Sequence, residues 1–249
     1  MARAPLLETH ELSMRFGGVT AVDRANFELD EGELRCLIGP NGAGKSTFFK
    51  CLSGQLRPTS GSIVFGGHSI ERAQSHAIAR LGIAIKTQVP NLFDGLSVGE
   101  NLWLAARRRH GRPGAERAVA ETLDRIGLGE ATERLAGHLP HGQRQWLELG
   151  LVLASDPRLM LLDEPTAGMT HQEVERTADI VLAISRDRSV IVVEHDMQFI
   201  RMIAKKVTVF HQGQILAEDM VDKVMQDERV RDVYLGKPAE ARIPGDSRP

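Results

Sequence analysis

At 249 residues with 42% hydrophobic side chains, the chain can form one large α/β domain or two small ones, with enough apolar material for a substantial core. A formal net charge of -2 supplies no bulk field for nucleic acid or an acidic membrane and argues against both as partners. Residues 1–10 hold no apolar targeting core and the longest apolar runs are strand-sized, so the sequence predicts a chain that is neither secreted nor membrane-spanning. Cys36 and Cys51 have neither metal-ligand spacing nor a disulfide-rich context and are expected as small core residues.

Segments 6–12, 26–29 and 62–65 are short, alternating and separated by turn residues, which predicts antiparallel strands. Within this region the apolar run Leu34, Cys36, Leu37 and Ile38 leads into Gly39-Pro40-Asn41-Gly42-Ala43-Gly44-Lys45-Ser46-Thr47 and then Phe48, Phe49 and Leu52. That is a complete Walker A phosphate loop between a strand and a helix, and it predicts binding of a nucleoside triphosphate. The glycines let successive N–H groups turn inward at phosphate oxygens, and the following helix presents its positive end. Lys45 is placed for the β- and γ-phosphates and Ser46 for Mg²⁺. The fixed positions of the motif arise by chance on the order of once per hundred sequences of this size.

Gln88 follows a strand at 83–85 and precedes a segment, 97–139, where Val98, Leu102, Leu104, Val119, Leu123 and Ile126 recur at helical spacing around a loop at 110–114. This helical insertion interrupts a parallel α/β core. Leu139-Pro140-His141-Gly142-Gln143 then opens a helix predicted over 144–154. The strand 159–162 ends in Asp163 and Glu164, a Walker B pattern in which Asp163 holds the Mg²⁺ shell and Glu164 accepts a proton from the attacking water. A helix over 172–184 and a strand over 190–193 follow, the latter ending in Glu194-His195-Asp196, then a helix over 197–203 and a strand over 207–210. His195, one strand beyond Walker B, is a candidate γ-phosphate sensor. The Arg107-Arg108-Arg109-His110 run reads as a solvated arm.

Walker A, Gln88, the 139–143 segment, Walker B and His195 occur in the order found in ABC-type ATPases, and the chain resembles that family over nearly its whole length. The resemblance implies a RecA-like P-loop core with an antiparallel β subdomain (1–88 and 159–236), an inserted α-helical subdomain carrying the signature motif (89–158), and a loose tail (237–249). It also implies that ATP and Mg²⁺ are bound, that Phe16 stacks on adenine, with a core aromatic as the other reading, and that Gln88 contacts Mg²⁺ or the attacking water. Two cassettes are expected to close head to tail, each ATP lying between one Walker A and the other's Gly142 and Gln143. Segments 139–150, 164–170, 193–197 and 228–236 resemble importer ATPases for branched-chain amino acids. Among these His141, Trp146 and Met169 point to the first ATPase subunit of urea importers.

A second, related cassette, two membrane permease subunits and a solute-binding protein are the implied partners, with no nucleic acid. The chain would then sit peripherally on the cytoplasmic face of the membrane, coupled to the permease through Gln88 and residues 89–96. Alternatives are a branched-chain amino-acid importer, a lipopolysaccharide-export motor with a similar Tyr-Leu-Gly ending, or a clamp that barely hydrolyses. The last is prompted by Pro140, where the family carries the signature serine. The family's usual Asp near Thr170 is absent as well. No Asn-Lys-x-Asp motif supports a GTPase.

Overall fold

The computed structural model describes residues 4–87 and 91–235. Its elements run β1 (Leu7–Phe16), β2 (Val19–Leu29), β3 (Leu34–Ile38), α1 (Lys45–Leu52), β4 (Ser60–Phe65), β5 (His68–Ser69), α2 (Ser75–Leu81), β6 (Ile83–Lys86), α3 (Val98–Ala106) and α4 (Arg112–Ile126). They continue with α5 (His141–Ala154), β7 (Leu159–Asp163), α6 (His171–Ser185), β8 (Ser189–Val193), α7 (Met197–Ile203), β9 (Lys206–His211), β10 (Gln214–Met220), α8 (Val221–Gln226) and α9 (Glu228–Leu235). Two sheets result. One is antiparallel in the order β2-β1-β4-β5, and the other runs β10-β9-β3-β8-β7-β6. In the second, β9, β3, β8, β7 and β6 pair in parallel, and β10 closes one edge antiparallel to β9.

Because successive side chains of a strand point to opposite faces, the apolar runs of β3, β7 and β8 supply two cores at once. Cys36, Ile38, Met160, Leu162, Val190 and Val192 meet the helical side, with Val98, Leu102, Leu147 and Val181. Leu37, Leu159, Leu161, Ile191 and Val193 meet the other side, with Phe27, Phe48, Phe49 and Phe65. Both cysteines are buried and free, and burial pushes the Cys51 thiol up to about 11. They are core residues as expected.

Several boundaries differ from the sequence reading. α5 begins at His141, not at 144, because Pro140 takes the N-cap position, where its fixed φ and missing N–H cost nothing. The predicted loop at 110–114 is shorter, since α4 starts at Arg112 with Pro113 in its first turn, a position that tolerates proline. The arginine run forms the turn after α3: Arg107 lies over the Trp103 ring at 5.6 Å and donates to the His110 carbonyl at 2.7 Å, and Arg109 donates to Asp156 O at 3.2 Å. The seven-residue α2 and the strand β10 carried too little apolar periodicity to be read in advance.

A buried ion pair ties the inserted helices to the parallel sheet. Lys86, at the end of β6, meets Glu148 of α5 at 3.3 Å, with both side chains almost wholly covered. Two residues beyond Lys86 comes Gln88, which lies outside the described residues, as does the tail 237–249.

Candidate active site

The parallel strands deliver their chemistry at their C-terminal ends. β3 runs into the phosphate loop, where Gly39, Gly42 and Gly44 have φ of 143°, 78° and 106°, a region that L side chains rarely adopt. The loop is also tightly enclosed. A Cβ at Gly39 would fall on the Phe210 carbonyl oxygen, and one at Gly44 on the Ala21 carbonyl oxygen. Gly213 N donates to Ala43 O at 2.9 Å, which fastens the loop to the β9–β10 turn.

Lys45, the first residue of α1, folds back over the loop and donates through Nζ to Gly39 O at 2.6 Å and Pro40 O at 3.0 Å. Burial holds its ammonium below the ordinary lysine range, opposed by the nearby Glu164 and Asp163 carboxylates. Ser46 is exposed on the first turn of the same helix. Asn41 and Gly42 are exposed at the loop tip, while Ala43 is buried and Pro40 and Thr47 are half-buried.

β7 ends in Asp163, whose Oδ1 is buried without a hydrogen-bond partner. Burial raises this carboxyl, with the adjacent Glu164 as the next cause. Such an orphaned carboxylate oxygen fits a hydrated cation. Among the described residues no group of three or more His, Cys, Asp or Glu side chains is placed to hold a metal ion. A Mg²⁺ ion bound mainly through phosphate and water, with one or two protein oxygens, needs no such cage. Ser46 and Asp163 would be those oxygens.

Glu164 sits at φ 46°, and its N–H donates to Val193 O at 2.9 Å, so the ends of β7 and β8 are joined. Its Oε1 lies 3.5 Å from Nδ1 of His195, whose side chain is 64% exposed. The two residues expected to act on the γ-phosphate are thus neighbours.

Glu194, noted in the sequence only as the end of a strand, proves central to this arrangement. It is 1% exposed. Its Oε1 accepts from Thr166 N at 3.2 Å and from the Thr166 hydroxyl, and its Oε2 accepts from His195 N at 2.9 Å and Asp196 N at 3.3 Å. The only signal in the sequence was a carboxylate directly after an all-apolar strand, where an unpaired charge is too costly to bury. Asp196 in turn caps α7 through Gln198 N and Phe199 N.

Phe16 ends β1 with 47% of its surface exposed, which removes the core-aromatic reading and leaves a ring free to stack. Gly142 is buried in the first turn of α5, beside Gln143, whose Oε1 is buried without a partner. His141, Trp146 and Met169 join α5 to the chain after Walker B. His141 Nε2 is 3.1 Å from Ala167 O, Trp146 Nε1 donates to Thr177 Oγ1 at 3.0 Å, and that hydroxyl lies 3.1 Å from Met169 Sδ. Thr170, in place of the family's usual Asp, is the N-cap of α6 in a capping box with Glu173.

A phosphate loop, a strand-end carboxylate pair and a histidine gathered at one edge of a parallel sheet, with a helical insertion beside them, define an ATP-binding cassette. The chain belongs to the ABC transporter family, whose profile matches residues 22–167. It is an ABC-type ATPase. The high-affinity branched-chain amino acid transport ATP-binding protein BraF of Pseudomonas aeruginosa is 34% identical over 94% of this chain and 98% of its own length. LivG of Escherichia coli, which has the same description, is 34% identical over the same shares. Among solved structures, the ADP conformation of MJ1267, an ATP-binding cassette of an ABC transporter, superposes with a TM-score of 0.84 at 25% identity, covering 94% of this chain and 100% of that one. The structure of cbiO1 of Clostridium perfringens, part of the ABC transporter complex cbiONQ, gives a TM-score of 0.83 at 26% identity over 95% of this chain and 97% of that one.

Proposed function

We propose that this chain is the ATP-hydrolysing subunit of an importer for branched-chain amino acids. The observation that carries the reading is the 34% identity with BraF and LivG over nearly the full length of each chain. Urea, the solute expected from the sequence, has no support among these relatives. The residues behind that expectation, His141, Trp146 and Met169, pack α5 against the segment that follows Walker B. That role is independent of the solute.

In the proposed reaction, N–H groups of the loop from Gly39 to Thr47 cradle the phosphates and Lys45 exchanges the Gly39 and Pro40 carbonyls for β- and γ-phosphate oxygens. Phe16 stacks on the adenine. Ser46 and Asp163 would hold Mg²⁺, with Gln88 as the further ligand that the family resemblance implies, and the bound ion would supply charge neutralisation at the phosphates. Glu164 takes a proton from the attacking water as the new O–P bond forms, the β–γ bridging bond breaks and ADP leaves. His195, held by Glu194 through its backbone N–H, steadies the γ-phosphate. Gly142 and Gln143 of a second cassette complete the site.

That second cassette is a related, non-identical chain, and the pair docks on two permease subunits that receive solute from a binding protein. Among the described residues no helix is long and apolar enough to cross a membrane. The seat proposed for the chain, peripheral on the cytoplasmic face, follows from docking on those permease subunits. The test is uptake of labelled leucine and labelled urea by cells with and without the gene. Loss of leucine uptake is expected. Loss of urea uptake alone overturns the solute assignment, and loss of neither favours an export motor.

A further inference from the structure

The start of α5 has a carboxylate from another helix lying against it. Of its first N–H groups, that of Arg144 already donates to Pro140 O at 3.0 Å, which leaves His141, Gly142 and Gln143 to find acceptors. An N-cap side chain normally supplies one, but the N-cap here is Pro140, which has no acceptor to offer. Glu173 of α6 reaches to that end. A Cβ built on Gly142 would fall on Glu173 Oε1, with Cδ only 2.5 Å away.

The other carboxylate oxygen serves α6 itself. Glu173 Oε2 accepts from Thr170 N and Thr170 Oγ1, both at 2.8 Å. Those bonds hold the Glu173 carboxyl below the usual range, with the Gly142 N–H adding to the effect. The capping box needs one oxygen, and the second, turned toward α5, contributes nothing to α6. Together with the contact between His141 and the Ala167 carbonyl, it latches α5 to the segment that begins with Asp163 and Glu164.

We propose that Glu173 is a positioning residue for ATP hydrolysis: its carboxylate is a resident anion beside Gly142 at the start of α5, where a phosphate of the second cassette's nucleotide must bind, and it sets the ATP concentration at which two cassettes close. The proposal rests on the ATPase reading above and on head-to-tail pairing. Carboxylate and phosphate oxygens compete for the same donors, and like charges so close repel. Entry of the phosphate returns Glu173 to Thr170 alone and opens the latch. Phosphate bound in trans is thereby reported to the loop that carries this chain's own Glu164.

Glu173→Gln keeps the capping box, which accepts Gln as well as Glu, and removes the charge. In the assembled transporter its KM for ATP is expected to fall about two- to fivefold, the scale of one charge at a helix terminus, with kcat held within about twofold. Binding of a fluorescent ATP analogue to the isolated full chain, at its own Walker A, is expected to stay unchanged. In the nucleotide-free chain, amide hydrogen exchange at Gly142 is expected to accelerate in Glu173→Ala. An unchanged or raised KM in Glu173→Gln, or unaltered Gly142 exchange in Glu173→Ala, overturns the proposal. Failure of pairing itself would show separately, as Glu164→Gln cassettes that do not associate on ATP.

Discussion

Two helices of this chain begin where phosphate is expected, and their N-termini are built in opposite ways. α1 is entered through Gly44 at φ 106° with no side-chain cap, and the nearest charge is its own Lys45, bent back onto loop carbonyls. α5 is entered through Pro140, also without a side-chain cap of its own, and the nearest charge is the Glu173 carboxylate from α6. One terminus holds a cation ready to be turned toward an anion, and the other already holds an anion. The first can receive phosphate by rotating a side chain, whereas the second must give up a bond. Helix-end electrostatics therefore do not assign a phosphate site until the groups that already fill the end are known.

The comparison can be broken at several points. Glu164→Gln is expected to lower turnover by about 10²- to 10⁴-fold while keeping ATP bound, and to trap paired cassettes in which Gly142 is protected from exchange. Full turnover in that variant would remove Glu164 as the base. Lys45→Ala is expected to lower turnover by about 10²- to 10³-fold and weaken ATP binding measured at equilibrium, yet leave exchange at Gly142 in the free chain unaltered.

Alanine at the two helix-start glycines separates the termini by stability. At Gly44 the added Cβ meets the fixed backbone oxygen of Ala21 at a positive φ, so thermal unfolding is expected to report a loss of about 2–4 kcal/mol. At Gly142 it meets the tip of a flexible glutamate that can move, and about 1 kcal/mol is expected. An equal cost at both positions would mean that Glu173 is fixed. The smallest effect belongs to Pro140→Ser, expected to leave ATPase activity of the assembled complex within a few-fold. A large gain would show that α5 lacks a cap the reaction needs.

What could be read in the sequence was whatever chemistry is contiguous. Gly39, Gly42, Gly44 and Lys45 lie in one loop, Asp163 and Glu164 end one strand, and each pattern carries its own mechanical reason. Glu194 was invisible as a hub because its partner Thr166 is 28 residues away and is met only when β7 and β8 pair. Glu173 drew no notice in the sequence, because the helix end it lies against belongs to another helix. Pro140 was noted only as standing in place of the signature serine and not as an N-cap, and the helix was placed a turn too late. The urea expectation, which the relatives do not support, rested on residues of another kind. His141, Trp146 and Met169 are distinctive as residues, yet their distinctiveness is spent on packing inside the cassette.

Glu194 has a consequence for how two loops of the site can move. Its two oxygens, on a side chain that is almost wholly covered, grip Thr166 on one side and the backbone of His195 and Asp196 on the other. A change at position 166 that removes the hydroxyl takes one of four donors from Glu194, whereas a change at 194 takes the acceptor from the N–H groups of Thr166, His195 and Asp196 at once. The loop after Walker B and the loop that carries His195 are thus fastened to each other through one carboxylate, so that a displacement of either is felt by the other.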